Sequence, residues 1–130
     1  RLCSLAQGVS GVSPALLERL CWLLAQDDRG RVLLVRRPEQ GIWGGLWSLP
    51  ELASSGAVDA AASALGFAVQ DIGPALPEVE HVFTHFRLIA TPVPVRAHPL
   101  DGVPGSGWFT AQEREDLGLP APVRRLLSGL

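Results

Sequence analysis

The sequence has 130 residues, 47% of them hydrophobic and 18% charged, and a net charge of −2. These values are typical of one globular domain with a single core and argue against a disordered chain. No apolar run reaches the roughly 18 residues that a membrane-spanning helix needs, so we expect no membrane role. The small negative charge disfavours a strong, sequence-independent nucleic-acid binder, because such proteins carry a basic excess.

The N-terminal residues 1–19 are interpreted as a lead-in. Ser13-Pro14 could start a short helix there, with Leu16, Leu17 and Leu20 on one face. The chain begins at Arg1 and contains no Met, which we interpret as a piece of a longer protein.

Residues 20–130 are expected to form one domain that opens with an antiparallel hairpin. The apolar segments 20–26 and 31–37 flank Asp27-Asp28-Arg29-Gly30, which supplies turn chemistry. Residues 38–50 follow with three glycines, two prolines and two tryptophans. This composition predicts an ordered loop that leads into a short strand at Leu46–Leu49.

The middle of the chain predicts a helix and then strands. Residues 54–65 have helical spacing, with Ser54 or Ser55 as N-cap and Gly66 as the stop. Strands are predicted at 67–72 and at 78–95, the second interrupted near Phe83–Phe86. Pro92 and Pro94 indicate an edge strand or the end of a ladder.

The C-terminal part predicts a loop, a short strand and two helices. The loop is Gly102–Gly107, the strand Trp108-Phe109, and a short acidic helix covers Ala111–Leu117. A final helix with Pro122 in its first turn has its apolar residues at i, i+3, i+4 and i+7: Val123, Leu126, Leu127 and Leu130. A mixed sheet with helices packed on it gives the fold class α+β.

Three segments carry a resemblance to a known family. Gly30–Glu51 (GRVLLVRRPEQGIWGGLWSLPE), His81–Phe86 (HVFTHF) and Trp108–Leu130, with its LGLPAPVRRLL run, occur in order. Together they resemble the C-terminal, Nudix-like domain of adenine DNA glycosylases of the MutY family, over roughly residues 20–130. The resemblance implies a Nudix-like fold and a DNA-repair role, recognition of 8-oxoguanine opposite adenine in double-stranded DNA. Adenine excision itself would belong to another domain of the same parent chain.

A Nudix fold also raises the alternative of a nucleotide pyrophosphohydrolase. Nudix enzymes hold divalent metals with carboxylates from the pattern G-x5-E-x7-R-E-U-x-E-E-x-G-U, in which U is aliphatic. The equivalent helix here, SSGAVDAAASALG, has Asp59 as its only acid and lacks the Arg-Glu and Glu-Glu pairs. A lone carboxylate cannot build that metal site, so we predict no catalytic and no metal-binding residues. A domain kept for protein contacts or for bracing its parent is a further alternative.

The resemblance implies a lesion-binding loop at Phe83, Thr84 and His85. Phe83 would pack against the lesion strand, Thr84 would hydrogen-bond the damaged base, and His85 would approach its backbone. Thr replaces the family's Ser, which keeps the hydroxyl and adds a methyl group. Phe83 and Phe86 alternate along a strand, so core packing is the alternative for Phe83, and His81 is interpreted as structural.

Arg36 and Arg37 are candidate phosphate contacts. Because adjacent strand residues point to opposite faces, one of the two is expected to turn inward and to be paired there. Trp43 and Trp47, around a Gly-Gly pair, are assigned to packing.

Cofactors and location follow from the same resemblance. Parent glycosylases carry a 4Fe-4S cluster on four cysteines, C-x6-C-x2-C-x5-C. Cys3 would match the third cysteine, but the fourth position is Val9, so no cofactor is expected in this chain. Cys3 and Cys21 are then reduced thiols. The resemblance implies a monomer in the bacterial cytoplasm, associated with the nucleoid.

Overall fold

The computed structural model describes residues 16–84 and 86–130. A mixed sheet runs through the described part of the chain, with helices packed on it, which confirms the α+β class. Its strands are β1 (Leu16–Gln26), β2 (Val32–Arg36), β3 (Trp47–Ser48), β4 (Glu51–Leu52), β5 (Phe67–Ile72), β6 (Val79–Val82), β7 (Phe86–Pro99) and β8 (Ser106–Phe109). The helices are α1 (Val58–Leu65), α2 (Ala111–Glu115) and α3 (Ala121–Ser128).

Two long strands form the centre of the sheet. β1 and β7 pair in parallel along the whole of β1, from Leu16 opposite Phe86 to Gln26 opposite Arg96. β2 and β4 lie on the other side of β1, and β5 and β6 on the other side of β7. The expected helix is therefore wrong for residues 16–20, which form the start of β1, and Ser13 and Pro14 lie outside the described residues. Pairing with β7 overrides the local helical spacing of the leucines.

Of the two expectations for the prolines, the end of a ladder is confirmed on one side of β7, and the edge strand is wrong. Pro92 and Pro94 lie in the middle of β7, paired with β1 on one side. On the other side the ladder has a gap between β5 and β6. The backbone N–H groups of Leu76 and Gly73 donate there to the carbonyls of Pro92 and Pro94, both at 2.9 Å. A residue's N and C=O point to the same side of a strand, so the missing N–H groups face this gap and break no ladder bond.

The turn between β1 and β2 is closed by one buried carboxylate and confirms the predicted hairpin. Asp27 Oδ1 accepts from the backbone N–H groups of Arg29 and Arg31, at 3.0 and 2.8 Å, and Oδ2 from Arg31 Nε at 2.6 Å. Burial raises the pKa of Asp27, but the hydrogen bonds from Arg31 and Arg29 outweigh it and leave this pKa below its ordinary value.

The sheet separates two apolar clusters. One contains Trp22, Leu24 and Leu34 and is covered by α3 and by the loop before β3. The other contains Leu23 and Leu33 and is covered by α1. Successive residues of β1 and β2 therefore face opposite clusters, as the two-residue period of a strand requires.

Helix α1 ends as predicted but starts later. Gly66 adopts a left-handed conformation, φ 79°, and its N–H donates to the carbonyl of Ala62, which confirms the stop. The expected caps Ser54 and Ser55 are wrong, because a turn between Ser54 and Ala57 precedes the helix and Ala57 is the N-cap. α2 ends two residues before Leu117, and β8 begins at Ser106, inside the expected loop.

Candidate functional site

The loop between β6 and β7 presents one residue to solvent and packs its neighbour. Phe83 N–H donates to the carbonyl of Phe86 at 2.7 Å, which closes the loop. The Phe83 and Phe86 rings stack with centroids 4.5 Å apart and 13° between planes, and Phe83 is half-buried. Thr84 is exposed at the bend. His85 lies outside the described residues, so its predicted DNA contact stays a prediction. The loop therefore combines the anchored ring of Phe83 with the exposed side chain of Thr84.

An aromatic cluster braces this loop from the other side. The Phe83 ring lies 4.6 Å from His81 and 5.5 Å from Trp43, centroid to centroid. Trp43 also contacts Trp22, whose centroid is 6.4 Å away and which is only 2% exposed. The packing role predicted for Trp43 is confirmed, as is that of Trp47, which contacts Phe109. The position of the loop is thus tied to the core.

The Trp43 brace depends on an unusual backbone path. Trp43 itself has a positive φ of 55°, which non-glycine residues rarely adopt. A Cβ on the following Gly44 would overlap the backbone oxygen of Glu39. The glycine is therefore required for the chain to pass this close to itself while it turns the Trp43 ring towards Phe83.

Arg36 and Arg37 differ in exposure, as the alternation along a strand predicts. Arg37 is half-buried, and its Nη1 donates to Glu51 Oε2 at 2.8 Å while its Nε donates to the carbonyl of Ile42 at 3.2 Å. Arg36 is exposed and makes a looser contact of 3.3 Å with the exposed Glu39. Arg37 is thus the inward, paired residue, and Arg36 is the one whose guanidinium is accessible.

Sequence reasoning missed two residues that flank the loop. Val82 is 65% exposed although it is apolar, and it precedes Phe83 on the solvent side of β6. Its cross-strand partner Arg87 is exposed and pairs with Glu80 at 2.6 Å. The signal was present, because Glu80, Val82 and Thr84 alternate with the packed His81 and Phe83. Reading that period would have placed Val82 beside Thr84.

The outer face of α1 is a second surface of interest. Asp59, Ala60, Ser63 and Ala64 are all exposed on it, whereas Val58 and Ala62 face the core. Among the residues that the structure describes, no three His, Cys, Asp or Glu side chains converge as metal ligands would. No helix in the described part of the chain has the length and hydropathy that crossing a bilayer requires.

The family to which this chain belongs shows which sequence pattern α1 corresponds to. A profile of the NUDIX domain matches residues 21–129. The chain belongs to the NUDIX domain family.

Solved structures with the same fold come from two kinds of protein. The C-terminal domain of mouse MUTYH, crystallised in complex with human PCNA, matches with a TM-score of 0.66 and 20% identity over 85% of this chain and 84% of that chain. The MutT protein from Methanosarcina mazei Go1 matches with a TM-score of 0.61 and 18% identity, over 87% and 91%. The Nudix hydrolase RenU from M. smegmatis has a TM-score of 0.53 and 25% identity, over 85% and 81%. The same fold is thus found in the C-terminal domain of MUTYH, in a MutT protein and in a Nudix hydrolase.

The chain matches the Nudix pattern at its two glycines and its first glutamate, but not at the remaining metal-binding carboxylates. With Gly45 and Glu51 on the first two fixed positions, the spacing places Gly66 on the last glycine. The Arg-Glu and Glu-Glu pairs then fall on the exposed face of α1, where the chain has Asp59, Ala60, Ser63 and Ala64. Glu51, the remaining acid of the pattern, is neutralised by Arg37 at 2.8 Å. The Nudix helix is retained here without the carboxylates that would bind metal.

Proposed function

We propose that this Nudix domain recognises 8-oxoguanine in duplex DNA, as the C-terminal domain of an adenine DNA glycosylase of the MutY family, and does not hydrolyse nucleotides. One combined observation carries the proposal. Helix α1 lacks metal-binding carboxylates, and the 83–86 loop exposes Thr84 next to the stacked rings of Phe83 and Phe86. The sequence resemblance implies that the lesion is 8-oxoguanine and that the parent enzyme is an adenine DNA glycosylase. The parent enzyme would excise adenine in a domain that this chain does not contain. The protein would be cytoplasmic and associated with the nucleoid.

The proposed contact uses the chemistry that distinguishes the lesion. 8-Oxoguanine differs from guanine by an N7–H donor and a C8 carbonyl. The Thr84 hydroxyl can accept from that N–H or donate to that oxygen, and its exposure leaves both lone pairs free for a ligand. Phe83 is held by the core, so we assign it to positioning the loop, with any contact to the lesion strand made by its outer edge.

Arg36 is the stronger candidate for a phosphate contact. Its side chain is more than half exposed, and its bond to Glu39 is long enough to exchange for a phosphate oxygen at small cost. Arg37 would have to give up Glu51 and the Ile42 carbonyl to reach DNA. We therefore assign Arg36 to the DNA backbone and Arg37 to the fold.

The experiment measures binding of the chain to matched duplexes, with 8-oxoguanine opposite adenine and with guanine opposite adenine. Tighter binding of the lesion duplex supports the proposal, and equal binding contradicts it. Rejoining the chain to a catalytic domain and comparing adenine release from the two duplexes gives the same test in the assembled enzyme.

Nucleotide hydrolysis is the second candidate, favoured by the retained Gly45, Glu51 and Gly66 of the Nudix pattern. Incubation with 8-oxo-dGTP and dATP, with magnesium or manganese, should release no phosphate or pyrophosphate above background. Turnover that disappears in Glu51→Gln would instead establish a hydrolase. A role in protein contacts is the third candidate, since the MUTYH domain of similar fold was crystallised with PCNA. Absence of any Thr84-dependent DNA effect would favour it.

A further inference from the structure

A cleft between α2 and α3 lies outside both surfaces discussed above. Its volume is about 230 Å³. Two arginines and one acid line it together with apolar residues: Arg114, Arg124, Glu115, Leu119, Leu127 and Leu130. The apolar wall excludes water from the cleft. Because water screens charges, its exclusion strengthens the attraction between the arginines and a negatively charged ligand.

Arg114 is a buried cation without a counter-charge in the described part of the chain. It is 8% exposed, and the one hydrogen bond found for its guanidinium runs from Nη1 to the backbone carbonyl of Phe109 at 2.9 Å. A guanidinium has five N–H donors, so most of its hydrogen-bonding capacity is left over. Burial lowers the pKa of Arg114, as expected when a positive charge leaves water unpaired.

Arg124 brings a second cation to the same cleft. Its Nη2 donates to the carbonyl of Leu117 at 2.7 Å. Like Arg114, it makes no contact within ion-pair distance of a carboxylate among the described residues. Among the described residues, five arginines do have such partners, Arg19, Arg31, Arg36, Arg37 and Arg87, whereas Arg29, Arg96 and Arg125 do not and lie outside the cleft lining. Two guanidinium groups that bond only neutral carbonyls therefore line one cleft.

We propose that the α2–α3 cleft binds a phosphate group through the guanidinium groups of Arg114 and Arg124. Arginine donors match phosphate oxygens, and a tetrahedral anion can accept from two guanidinium groups on different helices. Glu115 lines the same cleft, and its negative charge weakens the site. Free phosphate and a phosphate of the DNA backbone share this chemistry.

The test is a titration of the chain with inorganic phosphate at constant ionic strength, followed by the chemical shifts of the arginine side chains. We expect saturable binding and a loss of about ten-fold or more in Arg124→Gln, because a hydrogen bond to a charged group is lost. Arg124 is exposed, so this variant keeps the fold. Glu115→Gln should bind phosphate more tightly. Arg125→Gln is the matched control, because Arg125 is exposed on the same helix outside the cleft lining and should leave binding unchanged.

A second arm uses a short undamaged duplex. Weaker binding of both ligands by Arg124→Gln supports the site with DNA as a source of the phosphate, and weaker binding of phosphate alone supports it with a free anion. Equal losses in Arg124→Gln and Arg125→Gln, or equal binding of acetate and phosphate, would overturn the proposal. Thr84→Val should bind phosphate normally, so the outcome is independent of the proposed lesion recognition.

Discussion

The outer face of α1 and the 83–86 loop are both surface regions of one Nudix domain, and they differ in the side chains that they present to solvent. On α1 the framework glycines are present, but the reactive positions hold Ala60, Ser63 and Ala64. In the 83–86 loop, Phe83 is packed against Trp43 and Phe86, and Thr84 is exposed to solvent. The Nudix fold therefore does not by itself determine the function of this chain, which depends on the side chains that each surface presents.

The largest expected effect comes from removing the support of the loop. Gly44→Ala should destabilise the domain by about 1–3 kcal/mol or more, because its Cβ overlaps the Glu39 backbone oxygen and shifts Trp43. Gly102→Ala is the control, since a Cβ there meets nothing within 4 Å and the change should stay within about 0.5 kcal/mol. Thermal or urea unfolding measures both. Equal stability of the two variants would show that the loop does not depend on this glycine.

A change in the turn between β1 and β2 should lower stability without altering the binding preference of the 83–86 loop. Asp27→Asn removes the ion pair with Arg31 and should cost about 1–3 kcal/mol while leaving lesion preference unchanged. The pKa of Asp27 is lowered in the folded state, so its stabilisation is present above the unfolded value near 3.8 and is lost as pH falls through the folded pKa. The melting temperature of the wild type should therefore fall more steeply than that of the variant on acidification. Parallel curves would contradict this role.

The sequence predicted what local chemistry decides. The Asp27–Gly30 turn and the Gly66 stop follow from backbone preferences of residues close in the chain. Pairing of β1 with β7 joins segments about 70 residues apart, so the strand at Leu16 and the central position of Pro92 had no local signal. The alternation of Arg36 and Arg37 was predictable, but the inward residue was not, because its partner Glu51 lies 14 positions away.

The exposed charge of Arg36 gives a smaller, non-specific effect on DNA binding. Arg36→Gln should weaken binding to lesion and undamaged duplexes alike and lower the slope of log affinity against log salt by about one unit. Arg37→Gln should mainly reduce stability, because it leaves Glu51 unpaired. DNA titrations at several salt concentrations distinguish the two. A loss confined to the lesion duplex would mean that Arg36 contacts the base and not the backbone.

The smallest effect on the folded domain is expected on α1. Ala60→Glu, Ser63→Glu and Ala64→Glu together place carboxylates at exposed positions, and each should change stability by no more than about 0.5 kcal/mol. We expect the triple variant to gain a manganese-dependent rise in melting temperature that the wild type lacks, because carboxylate oxygens are suitable ligands. An equal manganese response in the wild type would contradict the interpretation that the exposed face of α1 does not bind metal.

Substitutions of Thr84 test directly whether the 83–86 loop recognises 8-oxoguanine. Thr84→Val keeps the shape of the side chain and removes its hydroxyl, while Thr84→Ser keeps the hydroxyl and is the matched control. In binding to 8-oxoguanine:adenine and guanine:adenine duplexes, the preference of Thr84→Val for the lesion should fall by about 0.5–1.5 kcal/mol, or two- to tenfold, and that of Thr84→Ser should match the wild type. An unchanged preference in a folded Thr84→Val protein would contradict recognition of the lesion by this loop.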